Sequence, residues 1–165
     1  MLNTPRLTRR PFVPADAAAL FRLLGDPEAM RFSMGGAHLS VAATDRWIEH
    51  KIQHQAKHGF AIGAVLRRDD NDIIGKCGLE VLSDGGIEIG DRLRRDMWRQ
   101  GHATEAGQAW LNYAFSTLGL SRVAAMIEEA NRRSVRVAEK IGMQAGAPEI
   151  FHRNPVIEHF AQICH

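Results

Sequence analysis

Cysteine, tyrosine, nucleotide-binding glycine patterns and long apolar runs are all scarce in this sequence, and each shortage excludes something. The two cysteines, Cys77 and Cys164, have no motif spacing, so neither a disulfide framework nor a thiolate metal site is expected. The GxxxxGK[ST] and GxGxxG patterns are missing, which removes a P-loop and a dinucleotide fingerprint. No apolar run approaches the length that crosses a bilayer, and the opening MLNTPRLTRR lacks the apolar stretch of a secretory signal. A cytoplasmic protein that is not embedded in a membrane is expected. Neither charge is in excess: 21 Lys+Arg stand against 19 Asp+Glu, a net +2. The total therefore gives no reason to expect a nucleic-acid partner. Internal repeats, low-complexity tracts and linkers are not seen.

With 165 residues and 45% hydrophobic content, the chain suffices for one domain, 1–165, and is short for two. Leu7 to Val13 reads as a strand ended by Pro14, and Ala15 to Leu24 as a helix. Ser40 is a good N-cap for a helix to about Lys57, which Gly59 stops. Three strand-like runs follow, 60–66, 73–81 and 87–93, with turn formers between them. A helix to about Leu118 comes next, then a strand at 122–128, a helix at 132–141 and closing strands near 144–150 and 158–164. Strands and helices mix without strict alternation, so a mixed α+β fold is expected rather than a doubly wound one.

The stretch WRQGHATEAGQAWLNYAF, residues 98–115, runs a polar loop with one glycine straight into an amphipathic helix. Such a helix start presents N–H groups with no intrahelical partner and attracts anions. Gly101 and Ala103 keep side chains clear, Thr104 adds a hydroxyl, and arginines gather at 92, 94, 95 and 99 and again at 132, 133 and 136. Either a phosphate lies on this backbone, or Gly101 serves a tight turn alone.

Ile87-Glu88-Ile89-Gly90, Trp98-Arg99-Gln100-Gly101-His102-Ala103-Thr104-Glu105-Ala106 and the run Asn131 to Met143 together resemble the GNAT N-acetyltransferases, most closely the RimJ/RimL-like branch. Thr4-Pro5-Arg6-Leu7 and Asp26-Pro27-Glu28-Ala29-Met30 extend the likeness over most of the chain. The resemblance implies a single GNAT domain. Its mostly antiparallel sheet would have about seven strands, splayed between the fourth and fifth, with about four helices. It implies acetyl-coenzyme A as cosubstrate, with its pyrophosphate on the amides of Arg99, Gln100, Gly101, His102, Ala103 and Thr104. Pantetheine would lie along Leu93 and Arg94 as an added strand, and Asn131 would bind the coenzyme arm. Arg99 departs from the branch, which often has glycine there, and a positive φ would strain it.

Acetyl transfer needs a neutral amine, a polarised carbonyl and a proton for the leaving thiolate. The resemblance assigns the base to Glu88, which otherwise reads as a solvated strand residue. Many GNAT enzymes supply the proton from a tyrosine, but the matching position here is Ala138. The branch suggests Ser134 instead, whose other role is helix capping. Tyr113, the only tyrosine, is spaced from Trp110 for packing. His50, His54 and His58 share a helix face, and a solvated face is preferred to a metal site; no metal is expected. His102 is expected to pack or stack, Cys77 to be buried, and Trp47, Ile48 and Ile52 to favour core over substrate contact.

The implied function is direct acetyl transfer to a primary amine of a protein N-terminus or small molecule, by a monomer or homodimer. The alternatives are a non-catalytic acetyl-coenzyme A-binding module and, from the arginine groups, an RNA-binding accessory protein.

Overall fold

The computed structural model describes residues 1–151 and 154–162. Its elements run β1 (Leu2–Asn3), β2 (Leu7–Arg10), α1 (Ala17–Leu24), α2 (Val41–His58), β3 (Gly63–Arg67), β4 (Ile73–Val81), β5 (Ile87–Leu93), α3 (His102–Ser116), β6 (Arg122–Glu128), α4 (Arg132–Lys140), β7 (Gln144–Phe151) and β8 (Asn154–Gln162). The strands form one sheet in the order β1-β2-β3-β4-β5-β6-β8-β7. The seven expected strands all form, and the two-residue β1 adds an eighth. Cys164, expected at the end of the last strand, lies outside the described residues.

Local chemistry sets the element ends. The Ser40 hydroxyl accepts from the Ala43 amide at 3.1 Å, and Gly59 closes α2 in the left-handed region at φ +79°. In the β4–β5 turn the Asp84 carboxylate accepts from the Gly86 amide at 2.9 Å. The run 60–62 is buried but lies before β3; there the Ala61 carbonyl is bound by the buried Arg9 guanidinium.

Two cores sandwich the sheet. Leu20, Leu23, Leu24 and Ile48 from α1 and α2 pack with Ile62, Ala64 and Leu66. Trp110 and Leu111 from α3, Ala138 from α4 and Ile141 just after it pack with Cys77, Leu79, Ile89 and Val123 on the other face. Tyr113 meets Trp110 edge-on at 5.6 Å, and Cys77 is fully buried.

Between β5 and β6 the sheet changes character. These neighbours run parallel and meet at one Cα pair, Glu88 with Ala124, whereas β4–β5 and β6–β8 each pair over seven positions. The two half-sheets therefore diverge from Glu88 onward. Counted without β1, the gap falls between the fourth and fifth strands.

Candidate active site

Residues 99–104 form the loop and first turn that lead into α3. None of their six backbone N–H groups has an acceptor among the described residues; the first amide to bond back is that of Glu105, to the Gly101 carbonyl at 3.0 Å. Two of these residues are left-handed, Arg99 at φ +62° and Gly101 at φ +80°. A Cβ on Gly101 would come within 3.3 Å of the Arg6 guanidinium. Arg6 itself donates to the Gln100 carbonyl and to Glu105, which holds the loop in place. The result is a row of unsatisfied donors at a positive helix end. His102, at the first position of α3, is buried, and its Nδ1 has no partner among the described residues.

The gap offers a second row of backbone. The Arg94 N–H donates to Ile74 and the Leu82 N–H to Gly86, so even-numbered residues of β5 bond to β4 and the odd ones face the gap. Of the two residues expected along the pantetheine, only Leu93 therefore turns its N–H to the opening. Its carbonyl is taken by the Trp98 indole at 2.9 Å. Arg94 faces the other way: its amide is used by Ile74, and its guanidinium binds Asp72, Asp96 and the Ile73 carbonyl.

A cavity of about 950 Å³ passes through the gap. Trp47, Lys51, Lys76, Glu80 and Arg92 line it on the α1/α2 side, and Asn131, Ser134 and Val137 on the α4 side, with Glu88 between them. Glu88 and Ser134 thus share one chamber, whereas loop 99–104 lies outside its lining. The Glu88 carboxylate accepts from the Met126 amide of β6 at 3.2 Å. Burial pushes its pKa above the usual carboxylate range, partly opposed by that hydrogen bond. Asn131 caps α4, its Oδ1 accepting from the Ser134 amide at 3.3 Å. The Ser134 hydroxyl has no partner among the described residues, and Ala138 is buried in the core.

Several lining residues were not singled out from the sequence. On the α1/α2 face, Lys76 lies directly opposite Arg92, Gly78 opposite Gly90, and Glu80 opposite Glu88. Lys51 of α2 pairs with Glu80, and Arg92 donates to the Ala29 carbonyl at 2.8 Å. Trp47 also faces this chamber, with the Lys51 ammonium 4.9 Å and the Lys76 ammonium 5.3 Å from its ring centroid. Ile48 is fully buried, and Trp47 packs against the same core, edge-on to Phe12 at 5.6 Å, while also lining the chamber. The signal was present as two mirrored pentapeptides, KCGLE at 76–80 and EIGDR at 88–92. Of the aligned histidines, His54 accepts from the Val81 amide and stacks 4.4 Å from His58. Among the described residues no group of three or more His, Cys, Asp or Glu is placed to hold a metal.

The model of the acetyltransferase (GNAT) domain matches residues 6–144. The chain belongs to the GNAT acetyltransferase family. Among curated relatives of this GNAT chain, the uncharacterized protein YkkB of Bacillus subtilis (strain 168) is 32% identical over 146 residues, covering 86% of this chain and 84% of YkkB. Two solved structures share the fold. The ribosomal-protein-S5-alanine acetyltransferase of Vibrio fischeri aligns with TM-score 0.82 at 13% identity, covering 97% of this chain and 94% of the other. The spermidine N-acetyltransferase of Vibrio cholerae, in complex with CoA and spermine, aligns with TM-score 0.80 at 17% identity over 96% of both chains. No described helix of this GNAT chain is long and apolar enough to cross a membrane.

Proposed function

We propose that this GNAT chain is one catalytic unit of the RimJ/RimL-like branch, working in the cytoplasm. It transfers the acetyl group of acetyl-coenzyme A directly to a primary amine, either of a protein N-terminus or of a small molecule. The observation that carries the reading is the pairing of the six amides at 99–104, which have no acceptor among the described residues, with the open edge of β5. The first suits a pyrophosphate, and the second suits an extended pantetheine arm through the Leu93 N–H. The solved spermidine N-acetyltransferase complex, which holds CoA in the same fold, supports it.

In the transfer, the amine nitrogen forms a bond to the acetyl carbon and the carbon–sulfur bond of the thioester breaks. Glu88 takes the amine proton, and its raised pKa makes it a stronger proton acceptor than an ordinary carboxylate. Ser134, across the chamber, supplies the proton to the departing thiolate. A thiol is acidic enough that its protonation need not depend on a tyrosine. Buried Ala138, where a tyrosine could have served, favours one other reading, a module that binds the coenzyme without transfer.

Isothermal titration with acetyl-coenzyme A, followed by a thiol-release screen over amines, tests both. Binding at sub-millimolar concentration with amine-dependent thiol release is the expected outcome. Absence of binding would sink the coenzyme assignment, and binding without release to any amine would leave the module.

A further inference from the structure

The register of β4 against β5 sets like charges directly opposite each other twice on one face, Lys76 with Arg92 and Glu80 with Glu88. Like pairs in this position destabilise a sheet, while the mixed pairing would have stabilised it. Three of the four charges are offset locally: Glu80 by Lys51, Glu88 by the Met126 amide and Arg92 by the Ala29 carbonyl. Lys76 has neither an ion pair nor a hydrogen bond to any described residue. The Arg92 Nε is buried and likewise lacks a partner. Both side chains line the chamber that also holds Glu88. Gly78 and Gly90 lie between the two like-charge pairs, and any Cβ at Gly78 would collide with the Ala61 carbonyl at 2.3 Å. The Ala61–Ile62 backbone lies over Gly78, and of the two glycines only Gly90 lines the chamber. Burial, and then the neighbouring Arg92 and Lys51 charges, bring the Lys76 pKa down to about 8, partly opposed by the Glu80 and Asp91 carboxylates.

We infer that the acceptor carries a carboxylate in addition to its amine, held by Lys76 and Arg92 while the amine faces Glu88. Lys76 and Arg92 are then specificity-determining residues for acceptor choice. Four strand positions separate Glu88 from Arg92, about 13 Å at a rise of about 3.3 Å per residue. With side chains reaching inward, this span suits an amino acid or a short peptide whose acid stands several bonds from the amine. The same cations select against polyamines, whose second charge is positive. The inference rests on the acetyl-transfer reading for the placement of the amine.

The test compares matched acid and amide acceptors, 5-aminopentanoate with 5-aminopentanamide and the C-terminally amidated dipeptides alanyl-glutamate amide with alanyl-glutamine amide, by thiol release in the native protein. Charge-assisted hydrogen bonds predict kcat/KM about 10–100-fold higher for the acids. Preference within the free amino acid pair or within the dipeptide pair tells which source of carboxylate is used. In Lys76→Met the ratio falls towards one while acetyl-coenzyme A affinity is kept; in Lys76→Arg most of the ratio survives. Equal use of acid and amide by the native protein, or an undiminished ratio in a folded Lys76→Met protein, would overturn the subsite. If no amine releases thiol, the transfer reading fails on its own. The acid–amide difference in affinity, read by calorimetry with coenzyme A bound, then still decides the subsite.

Discussion

Glu88, the base of the proposed transfer, sits in a place that disfavours its charge. Burial raises its pKa, so the carboxylate form that accepts the amine proton is populated only as pH climbs through that raised value. The acid limb of the native rate profile should reflect this. Glu88→Gln keeps the shape and removes the base, and we expect turnover to fall by about 10²–10⁴-fold. The loss should be largest above that raised value and shrink at low pH, where the native carboxyl is itself protonated; an unchanged pH–rate profile would return Glu88 to a structural role. Ser134 is tested beside it. Ser134→Ala should lower turnover with little change in coenzyme affinity, because the Asn131 cap uses the Ser134 amide and not its hydroxyl. Full activity in that variant would remove Ser134 from the transfer.

At the scale of the element, the turn into α3 is built against local preference. Arg99 is held left-handed, where a side chain costs about 1–2 kcal/mol. Arg99→Gly should therefore raise the unfolding free energy by about 1 kcal/mol, partly offset by the greater freedom of glycine in the unfolded chain, and calorimetric melting would read the gain. Gly101→Val should do the opposite to binding. It adds both a left-handed β-branched residue and a contact to Arg6, so coenzyme affinity measured by titration is expected to fall while the fold persists. An unaltered affinity would contradict the role of the loop as a phosphate cradle. Much at this scale was legible beforehand: the strands 73–81, 87–93 and 122–128 match the observed bounds, and Ser40 and Gly59 cap α2 where a cap and a stop were expected. These signals are local, carried by alternation, caps and turn formers. Which way Arg94 points was not local, because the phase of β5 against β4 decides it. Trp47 packs against the core as its helical spacing suggested, but only the packed sheet shows that it also borders a cavity.

Over the whole molecule, titration should register the uneven placement of buried groups. Lys76 has a folded-state pKa of about 8, against 10.5 ordinarily. From about pH 8 upward the unfolded chain holds a proton that the folded chain has released, so stability rises with pH. The buried Cys77 thiol, raised from its ordinary 9.0, keeps a proton that the unfolded chain loses and works the other way above about pH 9. Denaturant midpoints should therefore increase between about pH 8 and 9 and then level off. In Lys76→Met that increase should vanish; a slope that survives the substitution would assign it to other groups. The overall arrangement, two half-sheets parting at a gap, was legible through motifs spread along the chain. The charged floor of the groove was not, because KCGLE and EIGDR acquire meaning only when an antiparallel register lays one against the other. The acceptor is hard to read from sequence for the same reason: the fold positions its recognition residues, and no single segment carries them.

The single backbone contact between β5 and β6, with the Glu88 carboxylate on the Met126 amide beside it, makes the parting of the half-sheets resemble a jaw with a very small pivot. A ladder of seven pairs would fix the gape rigidly, whereas this joint adds one side-chain bond to one backbone pair. Charge-assisted hydrogen bonds are about twice as strong as neutral ones, so protonating Glu88 weakens the joint at the moment it disables the base. Acid would then slacken the grip of the jaw and silence its chemistry through the same proton.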